Sequence, residues 1–221
     1  MPRMSASARR EQLVEAAIVV LLREGLDHTT TRAITEQAGT RLSAFHYAFR
    51  DKDELLGEVV TAVAGQIEQV LREAIQPDRG LAAAIDDGLR GYWQHVIAED
   101  IPWLVPIELA IHWRRTPGLE WRATRLWAVY RERVREVLQS AADSDPQHQA
   151  METIDLAGFL VDAVTGLAIQ YLASEDAEEC ARQLDLVIRA ATLLTGLEPR
   201  PAGRPRRATT RSVPYRRRSP V

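Results

Sequence analysis

The stretch from Thr29 to Leu56, TTTRAITEQAGTRLSAFHYAFRDKDELL, constrains the fold more than any other, because it reads as two short helices meeting at a glycine. Thr31 can cap the first, with Ile34 and Ala38 four apart on its apolar side, and Gly39 tolerates the left-handed dihedrals that end it. Phe45 and Phe49, again four apart, give the second helix an apolar underside that can anchor it. Its other faces carry Arg41, Ser43, His46 and Tyr47, a short polar and aromatic surface.

Helical periodicity continues on both sides of this pair. Residues 5–25 predict an opening helix with Leu13, Ala16, Ala17, Val20 and Leu21 on one face and Gly25 as its stop. A longer helix starts at Asp51 with acids in its first turn, runs to near Ile75 and is closed by Pro77. Further helices are predicted over 81–98, 103–115, 119–142, 151–174 and 177–195, broken at Pro102, Pro117-Gly118, Pro146 and Ser174-Glu175-Asp176. No segment alternates apolar and polar residues, so the fold is expected to be all-α: an N-terminal helix-turn-helix head of three helices joined to a larger helical body. The expected units are a head over 1–50, a body over 51–198 and a Pro/Arg/Thr/Ser-rich tail over 199–221 that has too little apolar content to fold.

At 221 residues the chain can bury a substantial core. Its apolar runs, such as 16–22 and 156–164, are too short or too interrupted by Gly and Asp to span a bilayer, and no charged-then-apolar signal segment opens the chain. A cytoplasmic protein without a membrane partner is therefore expected. The lone Cys180 cannot form an internal disulfide, which agrees with a reducing compartment. The net charge of −3 hides an asymmetry: the tail carries eight arginines and no acid, residues 1–57 balance eight basic against eight acidic side chains, and 58–198 hold the whole remaining −11. Most of the body would repel a phosphate backbone. DNA would be met by the head, with Arg9, Arg10, Arg32, Arg41 and Lys52 as phosphate partners; the tail either adds non-specific contacts or is a solvated end without function.

Thr31-Arg32-Ala33-Ile34, Ala38-Gly39, Tyr47, Phe49 and Lys52-Asp53-Glu54-Leu55-Leu56 together resemble the DNA-binding head of the tetracycline-repressor (TetR) family. The resemblance covers roughly the first quarter of the chain and implies that the second short helix lies in a DNA major groove. The family usually has Val-Ser after Ala-Gly, then Gly-Thr before an aliphatic-Tyr-Tyr-His-Phe run. Here Thr40-Arg41, Ser43-Ala44 and Phe45-His46-Tyr47-Ala48-Phe49 stand instead, so the scaffold matches while several groove-facing positions differ. Arg41 is the best candidate for bidentate contact to guanine, Ser43 and His46 can hydrogen-bond base edges, and Ala44 can touch a thymine methyl. Thr31, Arg32, Thr40 and Lys52 complete the expected DNA-binding set, with Tyr47 resembling the family tyrosine that contacts the backbone.

The resemblance also implies a ligand-binding, dimerising body. All five tryptophans fall between Trp93 and Trp127, where such a body would line its cavity. Trp93, Trp103, Trp113, Trp127 and Tyr130 are candidates for an apolar or aromatic effector, each with core packing as the alternative. Phe159, Asp162 and Gln170 recur at helical spacing on the next helix and can orient a ligand or be satisfied internally. The two final helices form the dimer interface in the family, which nominates Ile154, Gly158, Val161, Thr165, Leu172, Leu184, Ile188 and Ala191. An isologous homodimer would bring two heads to pseudo-palindromic double-stranded DNA with recognition helices roughly 34–36 Å apart. No cofactor and no metal is expected. His95/Glu99 and Glu108/His112 are four apart and could ligate one, the basis for a remote alternative, a helical metal-dependent enzyme. A ligand-independent regulator or an activator remains a second alternative.

Overall fold

The computed structural model describes residues 5–98, 102–144 and 151–197; the basic tail and its expected disorder lie outside them. Among the described residues there is no strand, and the chain runs through α1 (Ala6–Glu24), α2 (Thr31–Gln37), α3 (Leu42–Ala48), α4 (Lys52–Ala74), α5 (Leu81–Ala98), α6 (Val105–Arg115), α7 (Glu120–Ala142), α8 (Thr153–Ser174) and α9 (Ala177–Leu194). The all-α class read from the sequence is the observed one.

The head follows from its caps. Ser5 accepts a hydrogen bond from the Ala8 amide to start α1, and Asp51 accepts one from the Glu54 amide to start α4. The cap of α2 is Thr30 rather than Thr31: the Thr30 hydroxyl accepts from the Ala33 amide at 3.1 Å, and Thr31 is already helical. Three successive threonines offer three caps, and the reach to the amide three residues on selects the middle one. Gly39 turns the chain with φ +61°. Leu13, Ala17 and Leu21 of α1, Ile34 of α2, Phe45 and Phe49 then close over Leu55 and Leu56 of α4, all buried.

Arg10 is a structural clasp for this head and not the expected phosphate partner. Its guanidinium lies 4.1 Å from the centre of the Phe49 ring, donates to the Ala48 carbonyl, and pairs with Glu54 at 3.2 Å and Glu58 at 3.0 Å. The Arg50 amide foremost, and then Arg10, hold the Glu54 carboxyl below its ordinary pKa despite opposing desolvation.

The body is built on α4, whose Val59, Val63, Ala64 and Leu71 continue the head's apolar face without a break. It packs on α5 and α7, α7 packs on α6 and α8, and α9 closes against α8 and α5. The start of α6 falls at Val105, two residues later than expected, because Pro106 has no amide to give and sits in the first turn, where none is needed. Contrary to the expectation that every apolar run is too short, the 22-residue α8, with a mean hydropathy of 1.6 over its most apolar window, is long and apolar enough to cross a bilayer. Leu156, Ala157, Leu160, Val164, Leu167 and Ala168 bury one of its sides in the subunit.

Phe45 is fully buried where α1 and α3 meet. Phe45→Ala is expected to lower the unfolding free energy by about 3–5 kcal/mol, as measured by chemical denaturation.

Candidate nucleic-acid interface and effector cavity

With Phe45 and Phe49 committed to the core, the opposite face of α3 is open. Arg41, Ser43, His46 and Tyr47 are exposed, the last at 74%, while Thr40 and Ala44 are half-buried. Leu42, between Arg41 and Ser43, is exposed as well, at 47%. A concave surface joins this face to the start of α1, lined by Ser5, Ala6, Arg9, Gly39, Thr40, Arg41, Ser43, Ala44 and Tyr47. Arg9 is fixed on its rim, donating to Gln12 at 2.7 Å and to the Thr40 hydroxyl at 3.1 Å. Thr31 and Lys52 stand half-buried in the first turns of α2 and α4, where amide groups and the helix dipole favour an anion. Arg32 pairs with Glu36 at 2.9 Å in open solvent, a weak pair that a phosphate can displace.

The body encloses a cavity of about 80 Å³ between α4, α5, α7, α8 and the entry to α6. Trp103, Trp127 and Tyr130 are in its wall, joined by Tyr92. The other expected effector residues are not. Trp93 packs inward, its ring edge-on to Tyr171 at 5.8 Å, and Trp113 points to the head. On α8 the wall is Leu160, Val161, Val164, Thr165 and Ala168, so Phe159, Asp162 and Gln170 are rotated off it; Asp162 pairs with Arg131 at 3.0 Å and Gln170 is exposed.

Val161 and Thr165, expected in a dimer seam, are therefore cavity residues in this subunit. Leu184, Ile188 and Ala191 are buried inside it, because they form the face of α9 that packs on α5 and α8. Gly158 is half-buried, with the Arg131 side chain 3.8 Å from where a Cβ would stand. Ile154 and Leu172 remain open at 45% and 52%, together with Ile169, Leu186, Leu193 and Leu194.

Head and body meet at Asp53, in the first turn of α4. Its Oδ1 accepts a hydrogen bond from Trp113 Nε1 at 2.8 Å and lies 3.6 Å from His112 Nε2. Arg122 Nη1 donates to the Asp53 carbonyl at 3.0 Å. A Cβ at Gly57 would stand 3.1 Å from that same nitrogen, so the bare backbone lets Arg122 lie across α4. The guanidinium is also 5.0 Å from the Trp121 ring and 5.7 Å from the Trp113 ring. Glu108, one turn before His112 on α6, has its pKa raised by burial first and then by the Asp27 carboxylate of the head. The two expected metal pairs are thus placed differently: His112 beside Asp53, Glu108 within the field of Asp27, and Glu99 outside the described residues. Among the described residues no three His, Cys, Asp or Glu side chains come together to hold a metal.

A three-helix head with an open polar helix, fused through one long helix to a helical body with an apolar cavity, defines a helix-turn-helix regulator. Residues 13–59 match the family described as bacterial regulatory proteins, tetR family. The chain is 25% identical over 171 residues to the HTH-type nicotine-responsive transcriptional repressor HdnoR of Paenarthrobacter nicotinovorans, covering 77% of this chain and 87% of that one. It is 28% identical over 199 residues to the HTH-type transcriptional repressor Rv1474c of Mycobacterium tuberculosis, covering 85% and 96%. A crystal structure of a TetR-family transcriptional regulator from Rhodococcus sp. superposes with a TM-score of 0.69 at 16% identity, over 86% of this chain and 99% of that one. Residues 13–59 thus match the DNA-binding head of the TetR family, and the chain is similar over most of its length to transcriptional repressors and has the fold of TetR-family regulators.

The raised pKa of Glu108 has a definite sign. The folded protein holds this proton more tightly than the unfolded chain, so stability falls as pH rises from the ordinary glutamate range through the raised value. Glu108→Gln is expected to raise Tm at pH 7, with the difference from wild type closing below about pH 4, in thermal unfolding scans across pH.

Proposed function

We propose that the chain is a homodimeric repressor whose two heads, residues 1–50, hold pseudo-palindromic DNA until a small apolar effector enters the body, residues 51–198. The observation that carries this reading is the exposed face of α3, held rigid by Phe45 and Phe49 beneath it. Arg41 reads guanine, Ser43 and His46 reach base edges, and Ala44 and Leu42 meet thymine methyls. Thr31, Arg32, Thr40, Tyr47, Lys52 and Arg9 set the register on phosphates. Both curated relatives are named as repressors, and one as responsive to nicotine, which supports the sign of regulation and a small ligand. A chromosomal target implies a cytoplasmic protein.

Dimerisation is supported by the open apolar side chains of α8 and α9. Ile154, Ile169, Leu172, Leu186, Leu193 and Leu194 are each more than two-fifths exposed, six large apolar side chains left in water on two helices that pack against each other. These replace Leu184, Ile188 and Ala191 as the side chains a partner subunit would cover.

The cavity favours a ligand-responsive regulator over a ligand-independent one. At about 80 Å³ it is smaller than the ~150 Å³ that accommodates benzene. A ligand of even one ring must part the walls, and so binds better to a state in which they are apart. Two of those walls, α6 and α7, carry Trp113 and Arg122, which hold the head through Asp53. The metalloenzyme alternative is disfavoured by the engagement of His112 with Asp53 at this junction.

The test is selection of genomic fragments by the purified protein, followed by footprinting of the best fragment. A palindromic footprint is expected for the wild type, and Arg41→Ala should weaken it by about 1–3 kcal/mol; a chain that selects no fragment would refute the repressor reading.

A further inference from the structure

Among the described residues, the walls of the body cavity contain no Asp, Glu, Lys, Arg or His side chain. A charged ligand would leave water there and meet no counter-charge, a penalty that apolar contact does not offset. The wall nevertheless carries an unused polar group. Tyr130 is 5% exposed, and its hydroxyl is buried without a hydrogen-bond partner. Buried hydroxyls are normally paired, so an unpaired one on a residue that lines a cavity marks a place where a partner is missing. Tyr92 lies in the same wall, close enough that the two phenols influence each other's ionisation. Burial pushes both phenols well above the ordinary tyrosine range, so both keep their protons and remain donors at any physiological pH. Thr165 adds a further hydroxyl on α8.

We propose that the effector is an uncharged, compact and largely apolar molecule carrying one hydrogen-bonding group, which pairs with the Tyr130 hydroxyl beside Tyr92. This rests on the effector reading above and narrows it. Apolar contact alone discriminates poorly between molecules of similar shape, whereas a buried hydroxyl free to pair favours a ligand with the matching group over an analogue that lacks it. Tyr130 is therefore the specificity-determining residue of the cavity. Its position on α7, two turns beyond Arg122, ties recognition of the polar group to the helix that holds the head.

The full chain is tested with phenol, toluene and benzoate, one ring each: a neutral molecule with a hydroxyl, a near-isostere without one, and a carboxylate. Affinities are read by ligand-observed NMR and by the fluorescence of Trp103 and Trp127 in the wall. Phenol and toluene should bind and benzoate should not. In Tyr130→Phe the affinity of phenol relative to toluene should fall on the order of tenfold, the worth of one hydrogen bond. The unliganded variant should unfold no earlier than wild type, because the hydroxyl it loses has no partner to leave behind. An unchanged phenol-to-toluene ratio, or benzoate binding as well as phenol, overturns the proposal while leaving the effector reading in place. If neither phenol nor toluene binds, both fall.

Discussion

The grip of α6 and α7 on the first turn of α4 is the contact on which the rest depends. Asp53 is held from two sides, its carboxylate by Trp113 and its carbonyl by Arg122. Trp113 is 1% exposed and the Asp53 side chain 27%, so this charge-assisted indole N–H to carboxylate bond is partly shielded from competing water. Asp53 is also the start of the helix that closes the head's core through Leu55 and Leu56. A displacement of α6 or α7 cannot occur without either breaking these bonds or carrying the head along.

The same two helices wall the cavity. Pro106 and Ile107 open α6 against it, and Trp127, Tyr130, Val134, Val137 and Leu138 present α7 to it, while Trp113 and Arg122 lie toward their other ends. One rigid helix with a ligand surface along part of its length and a head contact at its start is a lever. In the proposed ligand response, the small volume of the cavity would couple occupancy to movement, since anything larger than a few waters requires the walls to part. Glu108 and Asp27 face each other across the junction as like charges, which adds to burial in raising the Glu108 pKa.

Much of this fold was legible because periodicity and punctuation agree. Asp51, Gly25, Gly39 and the Pro117-Gly118 break all stand where helices start or stop. The face of α3 was legible too, since Phe45 and Phe49 leave no doubt about its underside. Orientation within the body was not. Helix α8 is apolar on several sides, so spacing alone cannot tell a cavity residue such as Val161 from a solvent-facing Leu172. On α9, Leu184 and Leu186 differ by two residues and by burial, 2% against 55%, and nothing local in the sequence says which leucine faces the subunit's own core. Five tryptophans in one stretch announced an aromatic region, but only Trp103 and Trp127 reach the cavity, because Trp113 is recruited by a carboxylate sixty residues away in sequence.

The most direct measurement is backbone hydrogen exchange of the full chain, free and bound to a DNA fragment it selects, in wild type and in Trp113→Phe. DNA is expected to slow exchange in α6 and the first half of α7 as well as in the head, and the slowing in α6 and α7 to be lost in the variant while that in α2 and α3 remains. Protection confined to the head in the wild type, or α6 and α7 protected equally in both proteins, would contradict a head held through Trp113 and Asp53.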